Sequence, residues 1–186
     1  MSAFEFLAVL LSIVFGLGLT QILSGVSRMI HRRRDNPPDG LHLIWSLNVF
    51  LVLVLNWWVT FSWSTIAVWS FEIYVILISW SVTMYLLAVI LYPPDLSLYE
   101  HGRALYFRNR RWFLGTLLCF LLLDAAQSAV RNALFSPPLY LPFIAHHFIF
   151  AGTGLMIRRP AYHWFYAVYF LVSLVAWALV FRRLLV

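Results

Sequence analysis

Lysine is missing from this chain, cysteine occurs once, and charge of either sign is sparse. The lone Cys119 excludes an intrachain disulfide and leaves the redox compartment open. Charged residues make up 11% of the 186, against roughly 25% in a soluble domain, while hydrophobic residues reach 63%. Together with a mean hydropathy of +0.85, this excludes an ordinary water-exposed globule. The length leaves no room for a soluble domain beside membrane spans, so residues 1–186 read as a single integral membrane domain.

Catalytic signatures are missing too. There is no G-x-S-x-G, no P-loop, no H-E-x-x-H and no paired acidic motif, so the residues do not point to an enzyme. Gly16-x-Gly18 falls inside an apolar run and reads as helix packing. The formal charge of +6 is all arginine and sits mostly between apolar runs. Arg32, Arg33, Arg34, Arg108, Arg110 and Arg111 are therefore expected at anionic lipid headgroups, and nucleic acid is not an expected partner. The first apolar run begins near Glu5 rather than after a basic segment and has no A-x-A site, so it reads as a retained span rather than a signal peptide.

What is present is a series of long apolar runs. A helix needs about 20 apolar residues to cross a hydrocarbon core, and six stretches approach that length: 4–30, 41–61, 71–92, 112–135, 139–157 and 161–181. Proline clusters punctuate them at Pro37-Pro38, Pro93-Pro94 and Pro137-Pro138, and Pro160 suits the start of the last run. The fold class is thus an all-α polytopic bundle with six transmembrane helices, or five spans with a re-entrant fifth segment. Arginine in the 28–40 and 93–111 connections, against none in 62–70, places those two loops in the cytoplasm and the amino terminus outside. The expected location is a bacterial plasma membrane. Arginine placement does not choose between the two topologies, because Arg158 and Arg159 trade sides with Arg182 and Arg183.

The segment 95–111 is too polar to span. Leu98, Gly102, Leu105 and Tyr106 form one stripe with Arg103 and Arg110 off it, as in a short cytoplasmic interfacial helix; a plain basic loop is the alternative. Trp57, Trp58, Trp63 and Trp69 at one level, and Tyr92, Trp112, Tyr162 and Trp164 at the other, read as aromatic belts. Small residues at Gly16, Thr20 and Ser24, and at Gly152, Thr153 and Gly154, suit close helix contacts, whether inside the bundle, in a homo-oligomer or with a membrane partner.

The chemistry concentrates on Asp124, a lone carboxylate deep in an apolar run. An ionisable group at membrane depth costs a few kcal/mol and marks a functional site by default. Gln127, Ser128 and Arg131 continue its helical face. Gln21, Ser24, Gly25 and Arg28 repeat a similar pattern in the first run, as a 3+3 inverted repeat would produce. If span four ends at 135, Asp124 and His147 lie at similar depths, roughly 16 and 12 Å from the outer ends of their helices. One of His146 and His147 is expected to meet Asp124, since adjacent residues diverge by about 100°. Asp124, His146, His147, Gln127 and Ser128 thus form a proton or cation site. A second cluster, His31, His42 and His163 with Asp35 and Asp39, is a candidate metal group, although no dense ligand motif supports it. No metal or cofactor is specified by any motif. Three functions follow: a small transporter or channel, a non-enzymatic assembly or accessory subunit, and a haem or quinone redox protein.

Overall fold

The computed structural model describes residues 2–34, 37–66, 68–93 and 102–181. Among them the regular structure is all helical, with α1 (Ala3–His31), α2 (Gly40–Thr60), a 3-10 turn (Phe61–Thr65), α3 (Phe71–Leu91), α4 (Gly102–Val130), α5 (Tyr140–Met156) and α6 (Pro160–Phe181). Five of these helices are long and apolar enough to cross a membrane. The exception is α5, whose 17 residues make about 25 Å of helix.

Local chemistry sets the helix ends. Ser2 and Glu5 form a reciprocal capping box on α1. Asp39 accepts from the Leu41 and His42 amides at the start of α2, and Ser70 accepts from the Ile73 amide at the start of α3. Asp39 also pairs with Arg103 at 3.0 Å, which ties the connection before α2 to the first turn of α4. At the opposite end of the bundle Arg131 donates to Ser62 and its guanidinium lies 5.1 Å from the Trp63 ring centre, binding the α2–α3 and α4–α5 connections together.

Helix α3 packs broadly on α1 and α4, α4 on α5, and α2 on α6, whereas α5 meets α6 and α2 meets α4 over few residues. Large aromatics fill the centre, with Trp45 edge-on to Phe113 and Tyr166, and Phe15 edge-on to Trp80. Gly25 lets the Tyr92 ring lie on α1, where a methyl group would overlap the ring, and Gly154 faces Leu114. Gly16 and Gly152 face open space, so the close contacts expected of them within the chain do not form.

Three sequence expectations change. Residues 102–111 are the first turns of α4, not a separate surface helix; Leu105 and Tyr106 are buried in the bundle, and the remainder of that segment, 95–101, lies outside the described residues. Arg110 is buried rather than placed at headgroups, and donates to the Leu155 and Ile157 carbonyls. Those carbonyls lie at the end of α5, where a helix leaves acceptors unpaired and favours a cation. The fourth helix ends at Val130 rather than near 135, because Asn132 turns the chain with a φ of 54° that asparagine tolerates. Asp35, Arg182 and Arg183 also lie outside the described residues.

Candidate functional site

Asp124 sits on the inward face of α4, six residues before its end at Val130. Burial in an apolar bundle deprives its carboxylate of water, so its oxygens must find donors in the protein. Three side chains supply them. The Trp80 indole N–H from α3 reaches Oδ1 at 3.1 Å, and Gln127 Nε2 reaches the same oxygen at 3.2 Å. The Tyr140 hydroxyl from α5 donates to Oδ2 at 2.7 Å. Tyr140 has one proton to give, and its oxygen in turn accepts from Ser128 at 2.9 Å. One carboxylate thereby joins α3, α4 and α5.

Beyond these bonds lies a partly open cavity of about 70 Å³ between α2, α4, α5 and α6. Its polar lining is Asn56, Asp124, Gln127, Ser128, Tyr140 and His147, set among aromatic and aliphatic side chains. A water needs roughly 10–15 Å³ by the same measure, so the space suits a few waters or a small polar group.

His147 is fully buried and faces this cavity from α5. It lies seven residues from the start of α5 at Tyr140, much as Asp124 lies six from the end of α4, about 10 Å deep in both cases. The depths correspond as the sequence implies, but Asp124 is nearer its helix end than a span ending at 135 would place it. Asp124 and His147 share the cavity while bonding to other partners. His147 Nε2 meets Ser173 Oγ of α6 at 2.9 Å. The Ser173 proton goes to the Phe170 carbonyl at 2.9 Å, so in the neutral ring Nε2 carries the hydrogen and Nδ1 is an acceptor. That Nδ1 is buried with no hydrogen-bond partner among the described residues, and so is Gln127 Oε1.

His146 is not part of the arrangement. It turns away toward a groove between α5 and α6, with Nδ1 at 2.7 Å from the Pro142 carbonyl, as the angle between successive helical residues requires. The His146 and His147 ring centres are 4.0 Å apart, too close to stand on opposite faces of one haem.

The second cluster does not assemble. His42 is buried against the Tyr92 ring at 4.9 Å, and His163 bridges the Tyr106 hydroxyl and the Ile157 carbonyl at 3.0 and 2.9 Å. His31 is exposed at the end of α1, and Asp39 is occupied as a cap. Among the described residues no three His, Cys, Asp or Glu side chains gather to hold a metal.

Sequence reasoning missed Trp80, Tyr140 and Ser173. The available signal was chemical: a buried carboxylate requires donors, and indole and phenol groups are the donors that apolar runs carry. No protein-family model matches the chain, and no curated protein or solved structure is detectably similar to it.

Proposed function

We propose that this is a small membrane transport protein in which Asp124 binds and releases a proton within the bundle, with His147 across the same cavity. The observation that carries the reading is a buried carboxylate facing a mostly apolar cavity, with two buried acceptors among its lining residues that find no partner among the described residues. A purely structural carboxylate would gain little from such a space, because interhelical polar bonds in membranes average about 0.6 kcal/mol. Proton binding fits better than bare cation binding. The carboxylate oxygens already accept from three donors, which leaves about one of their roughly four lone-pair positions, enough for one proton but not for the ligand shell of a metal ion.

In this reading all six helices cross the membrane. Support comes from α5 lying antiparallel to α4, with Tyr140 bonded near one end and the Leu155 and Ile157 carbonyls bonded to Arg110 near the other. Reconstitution in liposomes enclosing a pH-sensitive dye tests the function. An imposed pH gradient should dissipate faster than in empty liposomes, and Asp124→Asn should remove the excess rate. A rate unchanged by that substitution would sink the site assignment.

A second reading, an assembly or accessory subunit, is favoured by the same bonds seen differently, since Asp124 clamps α3, α4 and α5. Under it Asp124→Asn would lower the melting temperature and no flux above the empty-liposome rate would be found.

A further inference from the structure

Outside the cavity, α5 and α6 diverge and leave a groove of about 400 Å³ on the lipid-facing surface. Its wall is mostly apolar, from Leu139 and Pro142 to Val180, with Ser173 and His146 as its polar members. Two side chains belong to both compartments. Phe143 of α5 and Trp177 of α6 line the groove on one side and the Asp124 cavity on the other, their rings stacked with centres 4.6 Å apart. The compartments are also joined by a hydrogen bond, because Ser173 lines the groove, His147 lines the cavity, and the two are 2.9 Å apart.

The inner cavity specifies what it can receive. Gln127 spends its amide hydrogens on Asp124 and Ser128, and its buried Oε1 has no partner among the described residues. His147 Nδ1 is likewise buried and unpartnered among the described residues, and the Asp124 carboxylate is the acid of the lining. Arg131 is engaged with Ser62 and Trp63 and does not line the cavity. With two donors on Oδ1 and one on Oδ2, the carboxylate keeps about one free lone-pair position, which suits a single N–H of a cation. At about 70 Å³ the space takes a head of a few atoms and no tail, whereas the groove is large and apolar enough to hold an alkyl chain.

We propose that the transported substrate is a lipophilic primary amine that enters from the bilayer through the α5–α6 groove, past the Phe143–Trp177 pair. Its ammonium head occupies the Asp124 cavity while its tail lies in the groove. This rests on the reading of Asp124 as a proton site. Binding is an exchange: the carboxylic acid of Asp124 releases its proton to water, and the carboxylate then pairs with the ammonium. Release of the amine reverses both events.

The test uses the full chain in phosphatidylcholine nanodiscs with dodecylammonium as the probe, empty nanodiscs as the blank and dodecyltrimethylammonium as a cation without N–H donors. Binding is followed by tryptophan fluorescence, and proton release by a pH dye in weakly buffered solution. Dodecylammonium should bind with proton release, and the trimethyl compound about tenfold more weakly, the scale of one lost charge-assisted hydrogen bond. Ala176→Phe fills the groove from an exposed position without touching the cavity, and should slow binding while leaving Asp124-dependent proton flux intact. Val180→Phe repeats that test from another exposed groove position. Unchanged binding rates in both groove variants would overturn the lateral route. Proton flux that requires Asp124 without dodecylammonium binding would overturn the amine assignment alone. Flux and binding both indifferent to Asp124→Asn would remove the proton-site reading as well.

Discussion

Tyr140 gives its one hydroxyl proton to Asp124 and takes one from Ser128, so it transmits rather than merely fills space. Removing it tests how much the carboxylate depends on its donors. Tyr140→Phe keeps the ring and strips a donor from a buried acceptor, which should cost about 1–3 kcal/mol. A lowered melting temperature in detergent would register that loss, and a melting curve identical to wild type would show that the bond contributes nothing. His147 is fully buried, with Nε2 on Ser173 and its ring against Phe143 and Phe170. His147→Gln should therefore lower the melting temperature and also alter the pH dependence of flux; an unaltered profile would exclude His147 from the pathway. At this scale the sequence was informative about the acid and much less so about its surroundings. A carboxylate in an apolar run is conspicuous because its cost is large and local. Trp80 and Tyr140 look like ordinary membrane aromatics until a fold brings them to the same oxygen pair.

Between elements, glycine and arginine positions set how closely the helices meet. Gly25 accommodates the Tyr92 ring, while Tyr92 bonds Ser46 and its carbonyl accepts from Gln21, so α1, α2 and the end of α3 lock at one point. Gly25→Ala would drive a methyl group into that ring and should cost about 1–3 kcal/mol, seen as a lower melting temperature. Gly16→Ala meets nothing nearby and serves as the control. If the two variants melt alike, the contact is not a packing constraint. Helix boundaries set by capping and proline chemistry were legible, including the starts of α2 and α6. The early end of α4 was not, because the apolar run continues to Phe135 and the left-handed turn at Asn132 depends on where α5 must begin. Likewise Arg110 looked like a surface-loop residue. Its burial follows from α5 ending beside α4, which no local pattern encodes.

For the molecule as a whole, topology decides whether the cavity lies along a route across the membrane. Single cysteines introduced at Arg32, Arg158, Ser62 and Asn132 in a Cys119→Ser background can be labelled with a membrane-impermeant thiol reagent. Six crossings require positions 32 and 158 to react from one side and positions 62 and 132 from the other. A re-entrant α5 would move position 158 to the side of 62 and 132. The bundle class was readable from composition alone, since a chain this poor in charge has few other ways to bury its backbone polar groups. The groove between α5 and α6 and the cavity lined by α2, α4, α5 and α6 combine residues from separate helices and leave no periodic trace in any one of them.

All of this depends on Asp124 exchanging a proton with its surroundings while buried in the bundle. Infrared difference spectroscopy of the protein in lipid, recorded between acidic and alkaline buffer, observes that event through the carboxylic C=O stretch. The expected result is a protonated-carboxyl band that changes reversibly with pH and is missing from Asp124→Asn. An identical spectrum from wild type and Asp124→Asn across the pH range would contradict the account.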